Sequence, residues 1–87
     1  MFPQGTKYKN LTASGQVKAG PGTLVGMYVN STSSGTIKFW DDPAAANTVM
    51  NNTITPAVGW HDLGAGNFKI ACYATIGGTL DVTIYYE

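Results

Sequence analysis

The stretch that decides the fold is residues 80–86, whose sequence is LDVTIYY. Apolar and polar positions alternate along it, and one face comprises Leu80, Val82, Ile84 and Tyr86. Residues 68–74 alternate in the same way, and their inward face comprises Phe68, Ile70, Cys72 and Ala74. A period of two with one polar face indicates a half-buried β-strand. Gly77 and Gly78 lie between the two strands and predict a tight hairpin turn, because glycine adopts positive φ without steric cost.

A second hairpin is predicted over residues 23–41, around a polar turn at residues 30–35. Its first strand, residues 23–29, is apolar on both faces. We assign one face to the core, because β-branched residues pack well on a buried sheet surface; it comprises Val25, Met27 and Val29. Leu24 and Tyr28 then form a second apolar face, which needs a cover: a loop, the N-terminal segment or another subunit.

The remaining segments predict further short strands. These lie at residues 14–19 with Val17 inward, at 36–40 with Ile37 and Phe39 inward, at 48–54 and at 60–63. Asp42 and Pro43 favour a single helical turn over residues 42–47, and the glycines of residues 64–67 predict a turn. The pattern as a whole predicts an all-β fold, a small antiparallel β-sandwich or jelly roll of seven or eight short strands. We expect one domain over residues 1–87, with residues 1–12 as an extended arm.

Composition narrows the classes of function. The chain has 87 residues, enough for one small core, and its five lysines balance five acidic residues with no arginine. A neutral chain is a poor nucleic-acid or membrane-surface binder, because both need a basic surface. Apolar runs are too short to span a membrane, and no secretory signal is evident, so we expect synthesis in the cytoplasm.

Residues capable of chemistry are few, and their spacing does not predict a catalytic site. His61 and Asp62 are adjacent and would point to opposite faces of a strand, and no second histidine completes a metal-ligand set. Cys72, the only cysteine, lies on an inward register and is expected to be an inert core residue. Asp42 is better suited to capping than to acid–base chemistry. We therefore expect a protein that is not an enzyme and that has no cofactor or metal site.

Outward aromatic residues are the remaining functional signal. Trp40, Tyr73 and Tyr85 fall on the outward registers of their strands, where aromatic side chains favour protein interfaces or stacking against sugars. Together with Leu24 and Tyr28 they are the predicted interface residues. The low charge of the chain favours another subunit as the cover for these side chains.

Two segments carry a resemblance to a known class of proteins. GTLVGMYVNSTSSGTIKFWD at residues 22–41 and IGGTLDVTIYY at residues 76–86 look like small virion proteins of tailed bacteriophages, including capsid decoration or cement proteins with a compact β-sandwich. The similarity spans residues 15–87, except that residues 42–60 match nothing in that class. The resemblance implies a homotrimer on the capsid surface of the virion that clamps subunits of the major capsid protein. The alternative is a carbohydrate- or receptor-binding module of a phage tail or fibre, using Trp40, Trp60 and the outward tyrosines.

Overall fold

Two long strands form the centre of the fold, which a computed structural model describes for residues 5–87, apart from the side chain of Ala65. They are β3 (Gly22–Asp41) and β6 (Ala71–Tyr86), which pair antiparallel along their length. Four shorter strands flank them: β1 (Lys7–Leu11), β2 (Gly15–Ala19), β4 (Val49–Ile54) and β5 (Gly59–Phe68). All pairings between neighbouring strands are antiparallel.

The long strands change register together near their middles, and this divides the sheet into two layers. The irregularity lies at Ser33 and Ser34, both opposite Thr79, and Ser34 and Gly78 have positive φ angles of 54° and 68°. The first half of β3 and the second half of β6 join β1 and β5 in layer 1. The other halves join β2 and β4 in layer 2.

The predicted fold class is confirmed, but its connections differ from those predicted. Counted by layer, the sandwich has eight strand segments, and four of them belong to β3 and β6. The two predicted hairpins are wrong, because residues 30–35 and residues 77–78 lie inside continuous strands that pair with each other. The third predicted turn, at residues 64–67, is a bulge inside β5, where Asp62 Oδ1 accepts a hydrogen bond from the Gly64 N–H at 2.7 Å.

The core lies between the layers and draws on both. Its buried apolar side chains form one cluster: Leu11, Val17, Leu24, Met27, Val29, Ile37, Phe39, Phe68, Cys72, Ala74, Leu80, Val82 and Ile84. The molecule measures 17 Å in its thinnest direction, which suits two sheets stacked about 10 Å apart. The predicted inward registers of residues 36–40 and 80–86 are confirmed by this cluster.

The predicted side-chain orientations are wrong at two places in the chain. A register shift between Leu24 and Gly26 turns Leu24 into the core, where it is 2% exposed, and leaves Val25 half-buried. One extra residue in a strand exchanges its two faces, so Leu24 joins Met27 and Val29. Ile70 was predicted to face inward and is 56% exposed, because the chain passes between the layers at residues 69–70.

The segments at the start and middle of the chain also differ from expectation. The helical turn predicted at residues 42–47 is absent; instead the buried Asp42 carboxylate accepts a hydrogen bond from the Asn47 N–H at 3.0 Å and closes an irregular loop. Within the predicted arm, β1 is a paired edge strand of layer 1. Residues 1–4 of that arm lie outside the described residues.

Candidate functional site

Among residues 5–87, four aromatic side chains lie on the outer surface of layer 1, and we call them the aromatic face: Tyr8, Tyr28, Trp60 and Tyr85. Cross-strand register brings them together, since Tyr8 lies opposite Tyr85 and Tyr28 lies opposite Trp60. The Tyr85 ring is 6.4 Å from that of Tyr8 and 5.7 Å from that of Trp60 between centroids. Tyr8 is 72% exposed, and Tyr28 and Trp60 are more than 40% exposed. Tyr8, Tyr85 and Trp60 therefore form a row of neighbouring rings, and three of the four aromatic side chains are exposed.

Gly26 makes this arrangement possible. It lies opposite Tyr85 in register, and a Cβ atom added there would collide with the indole of Trp60 and come within 2.9 Å of the His61 carbonyl oxygen. The indole thus rests against β3 at a position that has no side chain. Glycine is required here for close approach, not for an unusual φ angle.

A network of polar side chains, the polar cluster, borders the aromatic face. Its members are Asn10, Asn30, Asp81 and Thr83. Both asparagines donate from Nδ2 to Asp81 Oδ1, at 2.8 Å from Asn10 and 3.2 Å from Asn30. Both also donate to Thr83 Oγ1, at 3.3 and 3.2 Å respectively, and Asn10 donates to the Val82 carbonyl oxygen at 3.1 Å. These shared partners hold the side chains in fixed positions.

The outer surface of layer 2 carries a smaller aromatic pair. Trp40 lies opposite Tyr73, and both are half-buried, as their predicted outward registers require. The Lys38 ammonium lies 4.4 Å from the Trp40 ring centroid, and Trp40 Nε1 donates to Thr75 Oγ1 at 3.3 Å. This pair is therefore already engaged within its own layer.

The predicted interface residues do not form one surface. Tyr28 and Tyr85 belong to the aromatic face, Trp40 and Tyr73 lie on the opposite layer, and Leu24 is in the core. Tyr8 and the polar cluster were not predicted as a site. Their signal in the sequence is the alternation of residues 7–10, KYKN, in which the lysines point to one side and Tyr8 and Asn10 to the other.

The four edge strands are protected to different degrees. Lys7 and Lys9 lie on β1, and β5 carries the bulge at Gly64. Charges and bulges on an edge discourage pairing with other chains. β2 carries Lys18, but its ammonium donates to the carbonyl oxygens of Pro21 and Glu87, at 2.8 and 3.3 Å. β4 has no charged residue and no proline, and its first residue, Val49, is 40% exposed.

Asp41 holds the corner where the chain crosses from layer 1 to layer 2. Its carboxylate accepts hydrogen bonds from the N–H groups of Lys69, Ile70 and Ala71, at 2.8 to 3.4 Å. Desolvation acts to raise the pKa of Asp41. The three backbone N–H groups and the Lys69 charge outweigh it and hold the pKa below its ordinary value of 3.8. The role of this carboxylate is structural.

Cys72 and His61 were both considered for chemistry, and each has a structural environment that can be described. Burial, and then the charge of Asp41, raise the pKa of the Cys72 thiol to about 12, so the thiolate nucleophile is scarcely populated at neutral pH. His61 Nε2 lies 2.7 Å from the Ala57 carbonyl oxygen, to which it donates. Within residues 5–87, no three His, Cys, Asp or Glu side chains are grouped so that they could hold a metal ion. The same residues include no helix with the length and apolar character needed to cross a membrane.

Comparison with known proteins does not assign the chain to a family. No family model matches it, and neither the curated proteins nor the solved structures include a significant match. The aromatic face with its polar cluster and the unprotected edge of β4 are therefore the two surfaces on which a function can be argued.

Proposed function

We propose that the protein is a structural component of a bacteriophage virion, of the capsid-decoration type, which acts by binding and not by catalysis. In this proposal it forms a homotrimer that clamps neighbouring subunits of the major capsid protein. The resemblance of residues 22–41 and 76–86 to such proteins supports the assignment to this class. The observation that carries the assembly is the uncharged edge of β4, since natural edge strands are usually protected against pairing.

The arrangement of strands in layer 2 indicates how copies would associate. Its order is β2, β6, β3, β4, and neighbouring strands are antiparallel, so β4 and β2 at the two edges run in opposite directions. The β4 edge of one copy can then add to the β2 edge of the next as one more antiparallel pair. Such a head-to-tail contact closes into a ring if the rotation permits, whereas β4 pairing with itself gives only a dimer.

β2 is the suitable partner edge for two reasons. It has five residues against six in β4, so their lengths match. Lys18, the charge that would otherwise protect it, is directed to Pro21 and Glu87 of its own chain. β1, by contrast, carries two lysines on the inward register, which is a recognised means of protecting an edge.

Light scattering after size-exclusion chromatography tests the assembly. We expect a mass three times the 9.2 kDa of one chain. Thr53→Lys places a charge on an exposed position of β4 and should give a folded monomer, while Thr12→Lys, on an exposed position outside the strands, should remain trimeric. A wild-type protein that is monomeric at tens of micromolar contradicts the proposed assembly.

Capsid binding tests the role. Purified phage capsids lacking their decoration protein should bind the wild-type chain and melt at a higher temperature, because a ligand of the assembled shell stabilises it by mass action. Thr53→Lys should bind more weakly, since a trimer engages several sites at once. If capsids from the source phage neither bind the wild-type chain nor gain stability, the decoration role is wrong.

A further inference from the structure

We infer that the aromatic face with its polar cluster is a binding site for a neutral carbohydrate. This site lies on layer 1, away from the β4 and β2 edges used for assembly above. It does not depend on the protein being a trimer or a capsid component. The inference follows from three properties of the surface: its row of neighbouring rings, its fixed hydrogen-bond acceptors and the lack of positive charge among the described residues that form it.

The row of rings suits an extended ligand that contacts several tilted rings, whose planes differ by 49° and 60° between neighbours. Tyr8, Tyr85 and Trp60 lie side by side across β1, β6 and β5, with centroids 6.4 and 5.7 Å apart. The exposed parts of Tyr8 and Trp60 offer apolar area at low conformational cost, as aromatic residues do in recognition surfaces. Sugar rings present C–H groups on one face, which pack against such a row. The side-by-side arrangement on a sheet also differs from a cage of rings around a single cation.

Hydrogen bonding within the polar cluster leaves acceptors for the ligand. The Nδ2 donors of Asn10 and Asn30 are committed to Asp81, Thr83 and the Val82 carbonyl oxygen. Three oxygens accept no hydrogen bond from the described part of the chain: Asn10 Oδ1, Asn30 Oδ1 and Asp81 Oδ2. A surface of oriented acceptors beside aromatic rings selects a ligand rich in O–H donors, which is the chemistry of a saccharide.

The charge on this surface selects a neutral saccharide. Asp81 contributes a negative charge within the polar cluster, and Asp62 is exposed opposite Gly26. Lys7 and Lys9 occupy the alternate register of β1 and point away from the aromatic face. Sialylated or uronic acid sugars would meet like charge there without a cationic partner, so their binding is disfavoured.

The experiment is a glycan array followed by titration. A broad array of neutral and acidic oligosaccharides is probed with the labelled protein, and the best neutral binder is titrated by isothermal calorimetry alongside choline and 3′-sialyllactose. We expect binding to neutral glycans and none to the sialylated sugar or to choline. Tyr8→Ala should raise the Kd roughly three- to tenfold, the usual effect of losing one aromatic contact. Ile70→Ala removes another exposed apolar side chain, at the corner between the layers, so it serves as the control and should leave the Kd unchanged.

Asp81→Asn tests the role of the acceptors separately from the rings. The new side chain can keep its oxygen towards Asn10 and Asn30, which places an N–H₂ donor where Asp81 Oδ2 was. Neutral glycan binding should weaken, and discrimination against 3′-sialyllactose should fall. Tight binding of choline that Asp81→Asn abolishes would overturn the inference in favour of a cation site. If no neutral glycan on the array binds, the inference is wrong and a protein contact is favoured. The same conclusion follows if Tyr8→Ala converts an oligomer into a monomer.

Discussion

Replacing Asp41 by asparagine should loosen the corner between the layers and reveal a specific dependence on pH. The carboxylate accepts hydrogen bonds from the backbone N–H groups of residues 69–71. The side-chain amide of asparagine would keep one acceptor oxygen but would carry no charge. Hydrogen bonds to charged groups contribute more to stability than hydrogen bonds between neutral groups, but this corner is open to water. We therefore expect the free energy of unfolding to fall by about 1–2 kcal/mol at pH 7. For a domain of this size, that loss lowers the Tm by about 5–15 °C.

The pH dependence follows from the direction of the pKa shift. The pKa of Asp41 is lower in the folded protein than the value of 3.8 expected when the chain is unfolded. The stabilisation is therefore fully present above pH 3.8 and is lost as the pH falls through the folded pKa. The difference in Tm between the wild-type protein and Asp41→Asn should be constant from about pH 7 to pH 5 and should close under stronger acid.

Thermal unfolding followed by circular dichroism between pH 7 and pH 2 measures both effects. Asp62→Asn is the matched control, since the Asp62 carboxylate is exposed and accepts one backbone N–H, from Gly64, instead of three. Asp62→Asn should therefore lower the Tm by less than Asp41→Asn does. If the wild-type protein and Asp41→Asn melt at the same temperature at pH 7, the Asp41 carboxylate does not stabilise the corner. The same conclusion follows if the difference in Tm persists unchanged at pH 2.

Three further results are expected from simple variants. Gly26→Ala should displace the indole of Trp60 and change its fluorescence while the chain stays folded; an unchanged emission spectrum would show that the indole does not rest there. Cys72 should resist thiol reagents in the native state and react on unfolding, so rapid native labelling would contradict its burial. Val29→Asp should unfold the domain, because an unpaired buried charge costs more than the free energy of unfolding, which is roughly 4–13 kcal/mol for a chain of this length. Tyr28→Asp should remain folded, because Tyr28 is exposed. If circular dichroism showed the reverse, the core face and the outer face of this strand would have been assigned the wrong way round.

The sequence predicts the alternation within strands well, because side-chain burial follows a period of two. The inward positions of residues 36–40 and 80–86 are correct, and so is the outward position of Tyr85. The prediction fails where one residue breaks the period. The register shift at Leu24 turns a side chain that was predicted to face outward into the core, and the corner at Ile70 turns an inward-predicted side chain to the surface. Neither position is marked by a proline or by a change in hydrophobicity.

The candidate site was predicted only in part, because it is assembled across strands that are distant along the chain. Asn10 and Asp81 are 71 residues apart and meet only because β1 pairs with β6. Alternation within β1 is enough to place Tyr8 and Asn10 on one face. It does not reveal that Tyr85 and Trp60 lie beside them, since that depends on the pairing partners of each strand.

The bend shared by β3 and β6 explains why two hairpins were predicted where none exists. Glycine and serine clusters are typical of turns, but here the glycines allow two strands to approach closely while both change direction. A Cβ at Gly35 would lie 2.5 Å from the Thr79 carbonyl oxygen, and one at Gly77 would lie 2.7 Å from Thr36 Oγ1.

The position of glycine separates the two interpretations at residues 30–35. This segment has its only glycine at its last position, whereas a two-residue hairpin turn needs positive φ at its centre. The sequence therefore disfavours a tight hairpin turn there and favours a strand that continues through the segment. Gly77 and Gly78 do meet the requirement of a tight turn, so the second bend is distinguished from a hairpin only by the strands with which it pairs.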